Sequence, residues 1–484
     1  MGSDLLSIGR TGLSAAQKSL QTTAHNISNV NSDGYSRQKV VQQASAPVGE
    51  GNIVMGTGTY IRTIERIHDD FIEKRLNGAI SDHNFNNERY FQLSIVENIF
   101  NEINYEGLNT SINNFFNSFR ELSNNPGSET IRSLIRENAK ILLQNFHRTN
   151  EALDKAAENI NNNLDMATDN INSCLSAIAS LNYKIREIEV TNGESGDLRD
   201  ERDRYLNRLA EYFAVEYYSD EAGRFIVGAR GVGTLVSGKL YQPLKSKSPP
   251  PTEDHPAFAN AREILIDDKI ISDRFQQGKV AALLETRNGE IKIMQEKIDE
   301  IAWSLATAVN ALHRRGFINK EVELDENGQP IASSLEKATN IDFFKIRDNQ
   351  YKAASLIDLS SDIKESLSNI ATAMEPNAPG DNRIALAISK LQYEKIAANG
   401  ESTLEEDYLQ SASTVALTSG KYKIATEQSE GILAQTRSFR EQISGVSVDE
   451  ETANMMKYQR AYEASARVMK TADEMFKAVL SIKP

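Results

Sequence analysis

Leu6, Leu13, Leu20 and Ile27 recur every seven residues near the start of the chain, with Ala16 and Val30 at intermediate positions. That spacing draws one narrow apolar stripe along a helix of about seven turns. Its other faces are small and polar, among them Ser14, Gln17, Thr22 and Asn26, and Asp33-Gly34 supplies a positive-φ turn to end it. The far end repeats the pattern. From Val448 onward, Tyr458, Ala461, Ser465, Val468, Ala472, Met475, Val479 and Ile482 alternate in steps of three and four. A lone helix with one narrow seam is marginal in water, because packing supplies most helical stability. The two end stripes are therefore expected to pair with each other or with copies from neighbouring molecules. An ordinary helix pair inside a globular bundle satisfies the same pattern.

Between the ends the chain reads as mostly helical. Extended pieces at 35–44 and 56–64 precede helical periodicity over 68–104 and 108–123, with Asn125-Pro126-Gly127 as a breaker. A run from Ser128 to about Thr191, almost free of glycine and rich in Asn and Ala, predicts one long exposed helix. Residues 214–275 change character. Val215–Tyr218, Arg224–Val227, Gly233–Val236 and Glu263–Ile266 are β-rich and separated by turns, and Pro249–Pro251 marks a loop. Helix returns over 276–315, irregular sequence with some strand at 342–346 follows, and helical patterns run from Asp381 to the end. The expected fold is mainly α with a small β insertion, with paired N- and C-terminal coiled-coil helices and a long helical-bundle rod. Its parts are a terminal domain (1–65 with 430–484), a helical rod domain (66–213 with 276–429, irregular at about 316–380) and a small β-rich domain (214–275).

Charge and cysteine content narrow the function. The chain of 484 residues carries a formal charge of −14, a field that repels phosphate backbones, so no nucleic-acid partner is expected. Cys174 is the single cysteine, which excludes an intramolecular disulfide and a cysteine-rich zinc site. No run approaches the roughly 18 apolar residues of a membrane span, so no membrane partner is expected either. The start, with Asp4 and no apolar core region, does not read as a cleaved signal peptide.

The search for chemistry returns no catalytic, cofactor or metal residues. None of the six histidines pairs with another at i,i+4. His68-Asp69-Asp70 reads as a helix cap, and Gly228, Gly231 and Gly233 run in the wrong order for a dinucleotide loop. The charged stretch Asp197–Arg204 reads as a solvated helix face with i,i+4 ion pairs. An enzyme is not expected, and a structural subunit that assembles through its end helices is.

The ends also carry a resemblance. Asn26-Ile-Ser-Asn29-Val-Asn-Ser-Asp-Gly34-Tyr35-Ser36-Arg37-Gln38 resembles the opening motif of axial proteins of the bacterial flagellum, and its Tyr-Ser-Arg-Gln tail is similar to that of the hook-associated protein 1 family. Gly445–Glu451 and the stretch Met456–Val468, with Gln459 and Tyr462, resemble the family's other end. Asn125-Pro126-Gly127, Asp197–Asp203 and Gly380–Leu386 agree with its interior, while Ser32-Asp33 departs from the family's usual Thr-Pro. The resemblance implies paired end helices lining an inner tube, a rod-like helical domain and a β insertion pointing outward. It implies self-association in a ring-like zone between a hook subunit and a second junction protein. It further implies an extracellular place in the flagellum, type III export without a cleaved signal, and a cytoplasmic export chaperone on the C-terminal helix. The assembly seam would be Leu6, Leu13, Leu20, Ile27, Tyr458, Ala461, Val468, Ala472, Met475, Val479 and Ile482. Another axial protein (the second junction protein or a hook subunit) is the nearest alternative, and a coiled-coil scaffold a more distant one.

Overall fold

The computed structural model describes residues 2–50, 53–101, 107–191, 195–248, 261–323, 325 and 329–481. The chain opens with helix α1 (Gly2–Ser28) and a long antiparallel hairpin of β1 (Gln38–Ala44) and β4 (Thr59–Arg66), tipped by β2 (Val48–Glu50) and β3 (Ile53–Met55). Helices α2 (Asp70–Ile99), α3 (Leu108–Asn124), α4 (Glu129–Val190) and α5 (Gly196–Tyr212) follow. Asp69 caps α2, its carboxylate accepting from the N–H groups of Phe71 and Ile72 at 2.8 and 3.2 Å. At 1.5 Å per residue, the 62 residues of α4 make a rod of about 93 Å.

Helix α4 corrects the expectation of an exposed helix. Ile135, Leu142, Phe146, Leu153, Ile160, Leu164, Ile171, Leu175 and Ile178, in steps of three, four and seven residues, form one stripe that is fully buried along its length. The Asn- and Ala-rich remainder faces outward and diluted the pattern in the sequence.

The β-rich segment comprises β5 (Val215–Ser219), β6 (Phe225–Ala229), β7 (Gly233–Ser237) and β8 (Leu240–Tyr241) in one antiparallel sheet, order β5-β6-β7-β8. A second sheet, order β11-β10-β9, holds β9 (Lys245–Lys247), β10 (Glu263–Ile266) and β11 (Lys269–Ile270). Val227, Leu235, Val236, Leu244 and Ile264 belong to the same apolar cluster as the α4 stripe, so the sheets share a core with the helical arm. Helix α6 (Gly278–Thr286) passes through a π-helical turn at 287–291 into α7 (Lys292–His313). That turn points Arg287, fully buried, at Asn161 of α4, the Arg262 carbonyl and Glu263 of β10.

The irregular stretch contains short helices α8 (Ala332–Glu336), α9 (Ala353–Leu356) and α10 (Ser361–Glu365), with β12 (Phe344–Lys345) paired to β13 (Asp358–Leu359). Buried His313 holds it to α7. Its Nδ1 lies 2.7 Å from the Ile341 carbonyl, and its Nε2 accepts the Ala371 N–H at 2.9 Å, so the ring is neutral with the proton on Nδ1. Burial pushes its pKa from 6.5 down to about 4, with Arg132 adding to the effect. Between those values the unfolded chain binds more protons than the folded one, so acid favours unfolding. Stability is expected to fall by about 3 kcal/mol between pH 7 and pH 4 on this account. Urea unfolding of wild type and His313→Gln at both pH values checks it: the variant should lose most of that acid sensitivity.

The chain closes with α11 (Arg383–Lys390), α12 (Leu404–Ser444) and α13 (Val448–Ser481). The boundary expected at 430 falls inside α12, which is continuous through Ser444 before the break at 445–447. Helix α12 packs along α2, and α13 packs along α1. The total accessible surface is 26476 Å², against about 18000 Å² for a compact monomer of this mass. The molecule is extended and leaves much surface to be covered.

Candidate assembly site at the paired termini

Helices α1 and α13 run antiparallel, with Gly9 beside Met469, Gly12 beside Ser465 and Asn26 beside Glu451. The approach is close because α1 presents almost no side chain there. A Cβ at Gly9 would lie 2.7 Å from Met469 Cγ, and one at Gly12 would lie 2.9 Å from Ser465 Oγ. Ala15, Ala16, Ser19, Thr22 and Thr23 continue the buried strip. The hairpin covers the helix as well, through Gln42 Nε2 to Ser19 Oγ at 3.0 Å. Gly12→Leu is expected to lever α13 away, making trypsin cleavage after exposed Arg460 and Arg467 faster while α4 stays resistant.

The structure places the seam residues on more than one face. Ala472 is 1% exposed and Tyr458 is half-buried, whereas Ala461 is exposed, Val468 is 39% exposed and Met475 50%. Leu6, Leu13, Leu20 and Ile27 are half-buried. Tyr458, Ser465 and Ala472 thus form one row toward α1, and Ala461, Val468 and Met475 form the next row, open to solvent together with Phe476 and Leu480. Ile482 and the side chain of Val479 lie outside the described residues.

Where α1 ends, the Tyr-Ser-Arg-Gln segment builds a polar hub. Asn26 satisfies its whole amide there: Nδ2 donates to the Gln38 carbonyl at 2.9 Å and Glu451 at 3.0 Å. Its Oδ1 accepts from Tyr35 Oη at 2.8 Å and the Gln38 N–H at 3.0 Å. Asn29 Nδ2 bonds the His25 carbonyl at 3.0 Å, closing the helix. Gly34 follows with φ of 72°, a conformation that suits glycine. The Ser36 N–H donates to Asp200 at 3.0 Å, the Arg37 N–H to the Ser444 carbonyl at 2.7 Å, and Gln38 Nε2 to Asp197 at 2.7 Å. Arg37 also pairs with Glu450 of α13. Gln459 and Tyr462 lie on the exposed side of α13, away from the hub.

Arg440, near the end of α12, uses all five N–H donors. Its Nε bonds Glu73 at 3.1 Å; its terminal nitrogens reach the Tyr35 and Gly34 carbonyls, Ser36 Oγ and Glu441 at 2.9–3.1 Å. Arg66 of β4 ties in α5 through Asp200 and Asp203 at 2.8 and 2.7 Å. Burial raises the pKa of Asp200, with Ser36 and Arg66 working against it, and raises that of the Tyr35 hydroxyl, with Asp197, Asp200 and Glu451 adding. Asp200 and Arg202 are buried, which corrects the reading of 197–204 as a solvated face. Sequence reasoning missed Arg440, Glu73, Asp200 and Arg66, because each partner lies far away along the chain.

The hub fixes geometry between α1, the 34–38 segment, β4, α2, α5, α12 and α13. Among the described residues no group of three or more His, Cys, Asp or Glu could hold a metal ion, and no helix is long and apolar enough to cross a membrane.

Comparison with known proteins agrees with this architecture. Residues 6–35 match a family described as flagella basal body rod protein, and 440–482 match the flagellar basal body rod FlgEFG protein C-terminal family. Residues 93–330 match the flagellar hook-associated protein FlgK helical domain. The ends therefore define an axial structural component of the bacterial flagellum. Within that class the chain belongs to the flagellar hook-associated protein 1, or FlgK, family. It is 28% identical to flagellar hook-associated protein 1 of Bacillus subtilis, over 98% of this chain and 97% of that one. It is 25% identical to flagellar hook-associated protein 1 of Salmonella typhimurium, over 99% and 100%. Its fold is similar to that of the flagellar hook junction protein FlgK from Burkholderia pseudomallei, with TM-score 0.62 and 15% identity over 77% of this chain and 100% of that one.

Proposed function

We propose that the chain is a non-enzymatic subunit of the hook–filament junction that assembles through α1 and α13. The observation that carries this reading is the row Ala461, Val468, Met475, continued by Phe476 and Leu480, left in solvent on a helix already paired on its other side. A solvated apolar row of that length costs free energy until a neighbouring subunit covers it. The α1–α13 contact itself buries few apolar side chains, Ala15, Ala16 and Ala472 among them. The terminal pair is accordingly the least stable part of the monomer and becomes fixed on assembly. On this reading the leucines of α1 and the outer row of α13 meet neighbouring copies, and the hub holds the terminal part (1–65 with the C-terminal helix) at a set angle to the helical rod. The β-rich 214–275 lies outward. A hook subunit on one side, a second junction protein on the other, and an export chaperone on α13 before secretion complete the proposal, with the site of action extracellular. Restoring motility and junctions to cells that lack the native junction subunit is the direct test. Complementation by wild type but not by a chain truncated before α13 is the expected result.

A further inference from the structure

A cleft of about 810 Å³ opens where the start of α2, the end of α4, helix α5 and the β5–β8 sheet meet. Seven lysine and arginine side chains line it against three acidic ones, in a chain whose net charge is −14. Three of the seven are already neutralised. Arg66 is held by Asp200 and Asp203, Arg199 by Glu189 at 2.6 Å, and Arg224 by Asp220 at 2.7 Å. Lys74, Arg186, Arg202 and Lys239 make no ion pair among the described residues, and Lys74 sits over the Tyr217 ring at 5.5 Å.

Arg202 is the telling member. It is 6% exposed, lies with its guanidinium 3.6 Å from the centre of the Phe225 ring, and bonds Asn182 Oδ1 at 3.1 Å. Its Nε has no hydrogen-bond partner among the described residues. Burial pushes its pKa down to about 10, nearby Arg199 and Arg66 adding in that direction and Asp203 and Glu189 opposing it. A buried guanidinium normally has its counter-charge within bonding reach, because desolvating it alone is costly. Here Arg202 lines a cleft whose rim adds Arg186 and Lys239, both exposed, and the tyrosines Tyr183 and Tyr218.

We propose that this cleft binds an acidic peptide segment, one carboxylate completing Arg202 and its neighbours engaging the rim. Carboxylate fits the planar arginine fork in a bidentate manner, and the tyrosine walls suit a chain of side chains better than a bare ion. The volume falls in the range that ordinary ligand pockets occupy. The segment comes from a second copy of this chain or from another protein, and the experiment separates these.

Hexaglutamate is titrated into the full chain by calorimetry at 50 mM NaCl, beside Arg186→Ala/Lys239→Ala and Arg202→Met. One-to-one binding that weakens at least tenfold in the rim variant, whose substitutions are exposed, and again in 300 mM NaCl is expected. No binding, equal binding by the rim variant, or complete displacement by an equal concentration of inorganic phosphate would overturn the proposal. Sedimentation of the concentrated chain with and without the peptide identifies the source: reduced self-association assigns the segment to a second copy, and unchanged self-association assigns it to another protein. Val468→Asp should bind hexaglutamate like wild type, so failure of the assembly reading and failure of this one are told apart.

Discussion

Replacing Arg440 with methionine is expected to lower the unfolding free energy by about 3–5 kcal/mol, the cost of leaving one member of a buried ion pair without the other. Methionine keeps most of the apolar stem, so the loss is electrostatic. The Arg440 and Glu73 side chains are 7% and 5% exposed, and the remaining donors of Arg440 hold two carbonyls of the segment that ends α1. Removing them leaves buried acceptors unsatisfied as well. Urea unfolding measures the change. The double variant Arg440→Met/Glu73→Gln should recover part of the loss, since it no longer strands a charge. A single-variant loss below about 1 kcal/mol would show that the hub is not what fixes the termini to the rod.

Val468→Asp is expected to abolish assembly without weakening the monomer. The residue is exposed, so unfolding should shift by no more than about 0.5 kcal/mol. Covered by a neighbouring subunit, the carboxylate would be desolvated with no partner in the apolar row, which costs several kcal/mol per contact. At about 1.4 kcal/mol per decade, the concentration needed for assembly rises at least about a hundredfold. Leu13→Asp should also block assembly, but because Leu13 is half-buried it should cost some monomer stability too. Pelleting assays at graded concentration, with unfolding curves alongside, read both quantities.

What the sequence made legible follows from range. The end helices were readable because their spacing is local, and the breaker at Asn125-Pro126-Gly127 and the cap at Asp69 act within a few residues. The seam was half readable. Steps of three and four describe two adjacent rows on α13 equally well, and only Gly9 and Gly12 on α1 select the one carrying Ser465 and Met469. The α4 stripe was hidden by an outer face of Asn and Ala that dilutes the contrast a periodicity argument needs. The hub was legible only as a motif. Asn26 meets Glu451 across 425 positions, and Arg440 meets Glu73 across 367, distances at which no spacing rule operates. For the same reason Asp200 and Arg202 looked like members of a solvated charge run, although one anchors Ser36 and the other lies under Phe225.

Hydrogen–deuterium exchange of the monomer against the assembled state tests the central claim most directly. The account predicts that α1 and α13 exchange far faster than the buried face of α4 in the monomer, and become protected on assembly while α4 changes little. Equal, strong protection of α1, α13 and α4 already in the monomer would contradict it.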